Sequence, residues 1–267
     1  MFQQISPRIQ DIGFPVRRLL PSRALQRVGP FIFVDHMGPA QFEPGTTAGD
    51  VRQHPHIGLA TVTYLFSGAI MHRDSLGKVQ RIEPGAINLM TAGRGIVHSE
   101  RMPADIRDGG IAVHGMQTWL ALPTEKEDMA PAFDHYPASA IPATRIPGGQ
   151  LRVLIGSALG LASPVRPHSP TTFLDLALNP GAQFSLHCAG QELAVYLAEG
   201  SAAVNGEEVP AWHLQTVGDA LHVVAGEQGV RAIVLEDPPF DTLGARIAET
   251  PFHGQFAGYE QIVDPEK

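Results

Sequence analysis

The sequence predicts an all-β protein built as two tandem β-barrels, and three observations predict it. Short runs of β-branched and bulky residues recur along the chain, bounded by glycine and proline turns. Long helical periodicity is nearly absent. Turn residues of the first half return in the second half in the same order.

In the first half the strand signals fall at residues 31–34, 60–66, 86–90 and 116–122, separated by Gly-Pro, Ser-Gly, Pro-Gly and Ala-Gly pairs. In the second half they fall at 172–178, 192–197, 222–224 and 230–235. Residues 124–129 suit one short turn of helix. Pro123, Pro131, Pro137, Pro142 and Pro147 then interrupt any regular element, which reads as an extended connection holding the domain boundary. The expected division is 1–135 and 136–267. The recurrence is concrete: Tyr64-Leu65-x-x-Gly68 returns as Tyr196-Leu197-x-x-Gly200, 132 positions later. Ala92-Gly93 after an apolar run returns as Ala225-Gly226, 133 positions later.

Composition removes several function classes. The 267 residues include 43% apolar and 17% charged residues, as in a globular chain long enough for two ordinary domains. A formal charge of -8, with no basic cluster beyond Arg17-Arg18, argues against holding a phosphate backbone. That arginine pair reads as a solvated strand edge. A single cysteine, Cys188, excludes an internal disulfide framework and cysteine-rich zinc sites. It also lacks the local signature of a catalytic nucleophile. No signal peptide or bilayer-length apolar run is read, so a cytoplasmic protein without membrane contact is expected. No phosphate-binding loop or dinucleotide fingerprint is present.

Histidine is the outlier, with 12 residues. In a strand, side chains two positions apart face the same way. His54-Pro55-His56 therefore offers two imidazoles to one centre, and Pro55 suggests an edge strand or a strand start. His98-Ser99-Glu100 offers an imidazole and a carboxylate in the same manner, entered by an Ala92-Gly93-Arg94-Gly95 turn. About 40 residues between the pairs can hold several short strands, so the second pair can return beside the first. Three nitrogens and one oxygen suit iron, manganese, nickel, copper or cobalt. Spacing alone leaves two readings open: a metal site, or polar residues on a solvent-facing strand side.

The segments around these residues resemble the pirin family, bicupin proteins of the cupin superfamily. The resemblance is carried by Val28-Gly29-Pro30-Phe31, Asp35-His36-Met37-Gly38-Pro39, His54-Pro55-His56-Ile57-Gly58-Leu59 and Thr61-Val62-Thr63-Tyr64. It continues through His72-Arg73-Asp74-Ser75-Leu76-Gly77, Met90 to Glu100, and Gln117-Thr118-Trp119-Leu120. It implies an N-terminal cupin holding one divalent metal, usually iron, through His54, His56, His98 and Glu100. It further implies a dioxygenase similar to quercetin 2,3-dioxygenase, taking a small aromatic substrate and dioxygen, with Glu100 as the candidate general base. Some family members resemble redox-sensing regulators acting through a protein partner, which is the alternative reading. A structural zinc is a third, disfavoured by the missing cysteines. Oligomeric state is open, with a monomer as the working expectation.

The second half resembles the family's C-terminal cupin more loosely. The repeat offsets set Leu186 and Cys188 against the first ligand pair, and Arg231 and Ile233 against the second. None of these makes a metal site, so the second barrel is expected to hold none; His187 sits nearby without a partner. The tail differs from the family pattern, with Pro251-Phe252-His253-Gly254-Gln255-Phe256 in place of a Phe-Val-Met-Asn type segment. His72 reads as structural, and His36 and His114 as core or supporting histidines without a same-face partner.

Overall fold

A computed structural model describes residues 2–187 and 192–237. Cys188 and the 251–256 segment lie outside the described residues. The chain is nearly all β, and it forms two compact units. One gathers residues 9–16 and 35–138. The other gathers the residues up to Arg8, then Arg17–Val34, and the described chain from Ser139 onward.

In the first unit a four-stranded sheet runs in the order Val51–His56, Ile96–Arg101, Ile70–Asp74, Val79–Ile82. A longer sheet, drawn mainly from residues 9–16 and 35–138, runs Ala132–Tyr136, Ile87–Thr91, Leu59–Ser67, Val113–Ala121, Phe31–Ala40, Pro15–Leu20 and Arg8–Asp11. The second unit repeats that long order as Gln4–Ile5, Leu214–Val217, Glu192–Val204, Ala220–Asp237, Thr172–Leu178, Gly149–Ile155 and Ala143–Ile146. It repeats the short sheet too. Gln183–His187 pairs with the start of Ala220–Asp237, which pairs with the end of Glu192–Val204, which pairs with Glu207–Val209. The duplication read from turn residues is therefore a duplication of strand order.

The strand signals sit inside longer strands. Residues 31–34 open Phe31–Ala40, and 222–224 with 230–235 are one continuous strand, Ala220–Asp237. The proline-rich connection is more regular than its composition suggests. It contains the short 3-10 turn Thr124–Lys126 and the strands Ala132–Tyr136 and Ala143–Ile146. Its prolines fall between these elements or at their starts, where no ladder hydrogen bond is lost. Arg17 and Arg18 are half-buried rather than solvated, with guanidiniums over the Trp212 and Phe33 rings at 4.1 and 4.3 Å.

The two interiors differ. The second unit packs a continuous apolar core that includes Leu151, Leu174, Phe184, Val195, Leu221, Val223 and Val234. In the first unit an apolar cluster gathers Phe14, Met37, Leu65, Ile70, Ile82, Ile106 and Val113. It occupies the end of the barrel beside the turn between Leu59–Ser67 and Ile70–Asp74. Elsewhere the inward face mixes polar side chains such as Thr63, Gln117 and Asn88 with the rings of Trp119 and Phe133.

Candidate metal centre

Strand pairing builds the site. Val51–His56 is an edge strand, as Pro55 suggests, and lies antiparallel to Ile96–Arg101. The register sets His98 opposite His54 and Ile96 opposite His56. Directly opposed residues share a face, so His54, His56 and His98 all point the same way. The turn before His98 closes through Gly95 N–H to the Ala92 carbonyl, 2.9 Å. Gly93 is required there: its φ is +50°, and a side chain would strike the Met129 carbonyl.

The three histidines converge, with one ring nitrogen from each lying within 4.8 Å of the others. His54 Nδ1 donates to the Arg52 carbonyl at 2.8 Å, which leaves Nε2 as its free lone pair. His56 Nε2 and His98 Nε2 face each other at 3.0 Å. Two lone pairs that close need a proton or a cation between them. The same distance is what two nitrogen ligands at right angles would show around a metal with bonds of about 2.1 Å. His56 and His98 are buried, and burial, with the neighbouring imidazoles, lowers both pKa values well below the ordinary histidine range. They are thus neutral at pH 7, the form that binds metal. The donor set fits a transition-metal ion.

Glu100 stands outside this set of three. Pairing with Val51–His56 slips by one residue after His98, setting Glu100 opposite Val51, while unbroken pairing with Ile70–Asp74 sets it opposite His72 on the face that His98 shares. Burial pushes its carboxyl above the usual range, while His54 and His72 pull it back. A bound dication would favour its ionised form.

His72, read from sequence as structural, lies beside the cluster. It is buried, 3.3 Å from His98 (Nδ1 to Nδ1) and 3.0 Å from the Asp74 carboxylate through Nε2, and it stacks on Phe133. His36 and His114 do not join the centre. They face each other across 2.6 Å beside Phe66, on the opposite face of the sheet from Thr63 and Leu65.

The long sheet closes the other side. Thr61, Thr63, Gln117 and Trp119 share one face, and Asn88, Met90, Phe133 and His135 extend it by register. Two ring contacts show that this face looks onto the histidines: Trp119 on His56 at 5.0 Å and Phe133 on His72 at 4.3 Å. Its polar groups are ordered in pairs, Thr63 donating to Gln117 at 2.9 Å and His135 Nδ1 donating to Asn88 at 2.7 Å. His54, Gln117, Trp119, Phe133 and His135 are only half-buried, so solvent reaches this face. Phe133 and His135 were hidden by the prolines around them. The signal that finds them is the Phe133-Asp134-His135 alternation, in which only Asp134 is exposed.

In the second unit the offset alignment needs correction. The stretch beside Gln183–His187 is 220–224, and Arg231 and Ile233 lie farther along the same strand, opposite Ala177 and Asp175. Arg231 is ion-paired to Asp175 at 2.6 Å. The inward residues at the corresponding strand pair are Phe184 against Val223 and Leu186 against Leu221. The turn motif is displaced because one continuous strand replaces two separate strands of the first barrel.

Comparison with known proteins agrees with this architecture. The family model described as Pirin matches residues 13–120, a span that holds His54, His56, His98 and Glu100. A pirin-like protein of Caulobacter vibrioides is 46% identical over 76% of this chain and 71% of its own length. The chain belongs to the pirin family. A pirin relative from Pseudomonas aeruginosa, provisionally named quercetin 2,3-dioxygenase, is 39% identical over 90% of this chain and 76% of its own. The crystal structure of a quercetin 2,3-dioxygenase from Acinetobacter baumannii superimposes with a TM-score of 0.82 at 35% identity, covering 90% of this chain and 80% of that one. The fold is thus the two-cupin fold of the pirins, and its first cupin carries three histidines that can hold a metal ion. Among the described residues, no helix is long and apolar enough to cross a membrane.

Proposed function

We propose that this pirin is a metal-dependent dioxygenase that binds one divalent ion, iron first, and opens the ring of a flavonol such as quercetin. The observation that carries the reading is the convergence of His54, His56 and His98 on a face that solvent reaches, opposite a wall of paired polar groups. The names of the Pseudomonas and Acinetobacter relatives support the substrate class. When bound, the ion supplies Lewis acidity toward a flavonol's adjacent oxygens and the electron transfer that dioxygen requires.

The chain's own residues do the rest. His54, His56 and His98 would hold the ion. Glu100 would be available as a fourth ligand, and its carboxylate, when not ligating, would take the flavonol hydroxyl proton. Its raised pKa without metal makes it a competent acceptor once it is free. Trp119 and Phe133 offer ring faces to an aromatic substrate. Gln117, Asn88 and the free Nε2 of His135 offer hydrogen bonds to its hydroxyls. Location in the cytoplasm and action as a monomer complete the proposal.

The test is to load purified protein anaerobically with Fe(II), add quercetin and admit oxygen. Loss of the flavonol absorbance with matching oxygen uptake and carbon monoxide release is the expected result. No turnover with iron, manganese, nickel, copper or cobalt would sink the enzymatic reading. Metal-state-dependent binding of a protein partner would then favour the regulatory one.

A further inference from the structure

We propose that His72 and Asp74 are positioning residues that fix which nitrogen of His98 faces the metal centre. The proposal rests on the reading that the three histidines hold a metal. Neither residue belongs to the ligand set, and both are buried beside it.

The chain of contacts runs inward from the Asp74 carboxylate. Asp74 Oδ1 accepts the backbone N–H groups of Leu76 and Lys78 at 2.9 and 3.1 Å. Those bonds hold the side chain still and leave Oδ2 to face His72 Nε2 at 3.0 Å. A carboxylate is an acceptor only, so the neutral imidazole of His72 carries its proton on Nε2 and presents a lone pair at Nδ1. That lone pair faces His98 Nδ1 at 3.3 Å. His98 therefore carries its own proton on Nδ1, and its Nε2 is left as an unprotonated donor aimed at His54 and His56. The reverse arrangement would set the His72 Nε2 lone pair against a buried carboxylate. Strand register holds the relay together, because His98 lies directly opposite Asp74 and Glu100 directly opposite His72. The Phe133 ring, stacked on His72 at 4.3 Å, keeps the imidazole in plane. A ligating histidine whose other nitrogen is held by a carboxylate is the more basic ligand. Here the carboxylate acts across one intervening imidazole.

Three variants separate this role from plain packing. His72→Phe keeps the stack on Phe133 and removes both nitrogens. Asp74→Asn keeps an oxygen for Leu76 and Lys78 but turns a donor toward His72, reversing the relay. His72→Gln restores an acceptor for His98 and a donor for Asp74. Folding is checked by circular dichroism, and Co(II) affinity and its visible bands are read for each. His72→Phe and Asp74→Asn are expected to weaken Co(II) binding about ten- to a hundred-fold and to shift the bands. His72→Gln is expected to recover most of the affinity. Ring-nitrogen NMR of the metal-free protein is expected to show the Nδ1–H form of His98, changed to the Nε2–H form in Asp74→Asn. Unchanged affinity, bands and tautomer in folded His72→Phe and Asp74→Asn would overturn the relay while leaving the metal reading intact. Absence of Co(II) binding by the wild-type protein overturns the metal reading and the positioning role with it, while the NMR result still reports the tautomer.

Discussion

In the first barrel, Val51–His56 and Ile96–Arg101 lie side by side and turn His54, His56 and His98 inward. In the second, Gln183–His187 and residues 220–224 take the same places in the same strand order and turn Phe184, Leu186, Leu221 and Val223 inward. The second barrel does have histidines on this strand pair, and the exposed His187 ends one strand opposite Ala220. His222 sits opposite Ser185, bonded to it at 2.9 Å, but both are exposed. One position along a strand moves a side chain to the other face. Face, rather than the presence of histidine in a strand, therefore decides whether a barrel can hold a metal. The apolar interior stabilises by excluding water. The polar interior accepts a desolvation cost for groups that must stay reactive.

The largest expected effect breaks the first barrel's side of this contrast. His98→Ala removes the ligand that links the His54 strand to His72, and metal affinity is expected to fall more than about a hundred-fold, beyond the loss typical of a supporting partner. Elemental analysis of protein purified in parallel with wild type measures it. The counterpart in the second barrel is Leu221→Ala. It removes a fully buried side chain, so it is expected to cost about 2–5 kcal/mol in chemical denaturation and to leave metal content unchanged.

A pH series sharpens the same contrast. His56 and His98 have folded pKa values depressed by burial, so between pH 6.5 and those lower values the unfolded chain binds protons that the folded chain does not. The stability they allow is present above about pH 6.5 and is lost as pH falls through the folded pKa values. Metal-free protein is expected to lose stability from pH 7 to pH 5, and His98→Ala to lose less over that interval. Equal losses in the two proteins would show that the buried imidazoles are not the source. The smallest effect makes the first interior resemble the second. Thr63→Val deletes the bond to half-buried Gln117 and is expected to change stability by less than about 1 kcal/mol, while raising the KM for a flavonol more than it lowers kcat.

Much of this was legible in the sequence because it depends on periods and spacings. Strand alternation put His54 with His56, Pro55 marked the sheet edge, and recurring Tyr-Leu-x-x-Gly turns signalled duplication. Other features depend on which strands pair, and local patterns do not encode that. Ala132–Tyr136 was masked by prolines, yet it supplies Phe133 and His135 because it pairs with Ile87–Thr91. His72 lacked a same-face histidine in its own strand, and its partner His98 comes from the neighbouring one.

The amino-acid sequence by itself determined an all-β chain, a duplicated barrel, and two candidate ligand pairs, His54 with His56 and His98 with Glu100, since each follows from residue type and a period of two. Only the tertiary structure decided the rest. A slip in the pairing with Val51–His56 sets Glu100 opposite Val51, while unbroken pairing with Ile70–Asp74 keeps it on the His98 face. Register brings Asp74 and His72 against His98. Strand pairing shows that the counterpart of the His98 strand is 220–224 rather than 231–233. The physical reason is common to all three: a side chain's neighbours across a sheet are chosen by hydrogen-bond register between distant segments, and one residue of slip exchanges every neighbour it has.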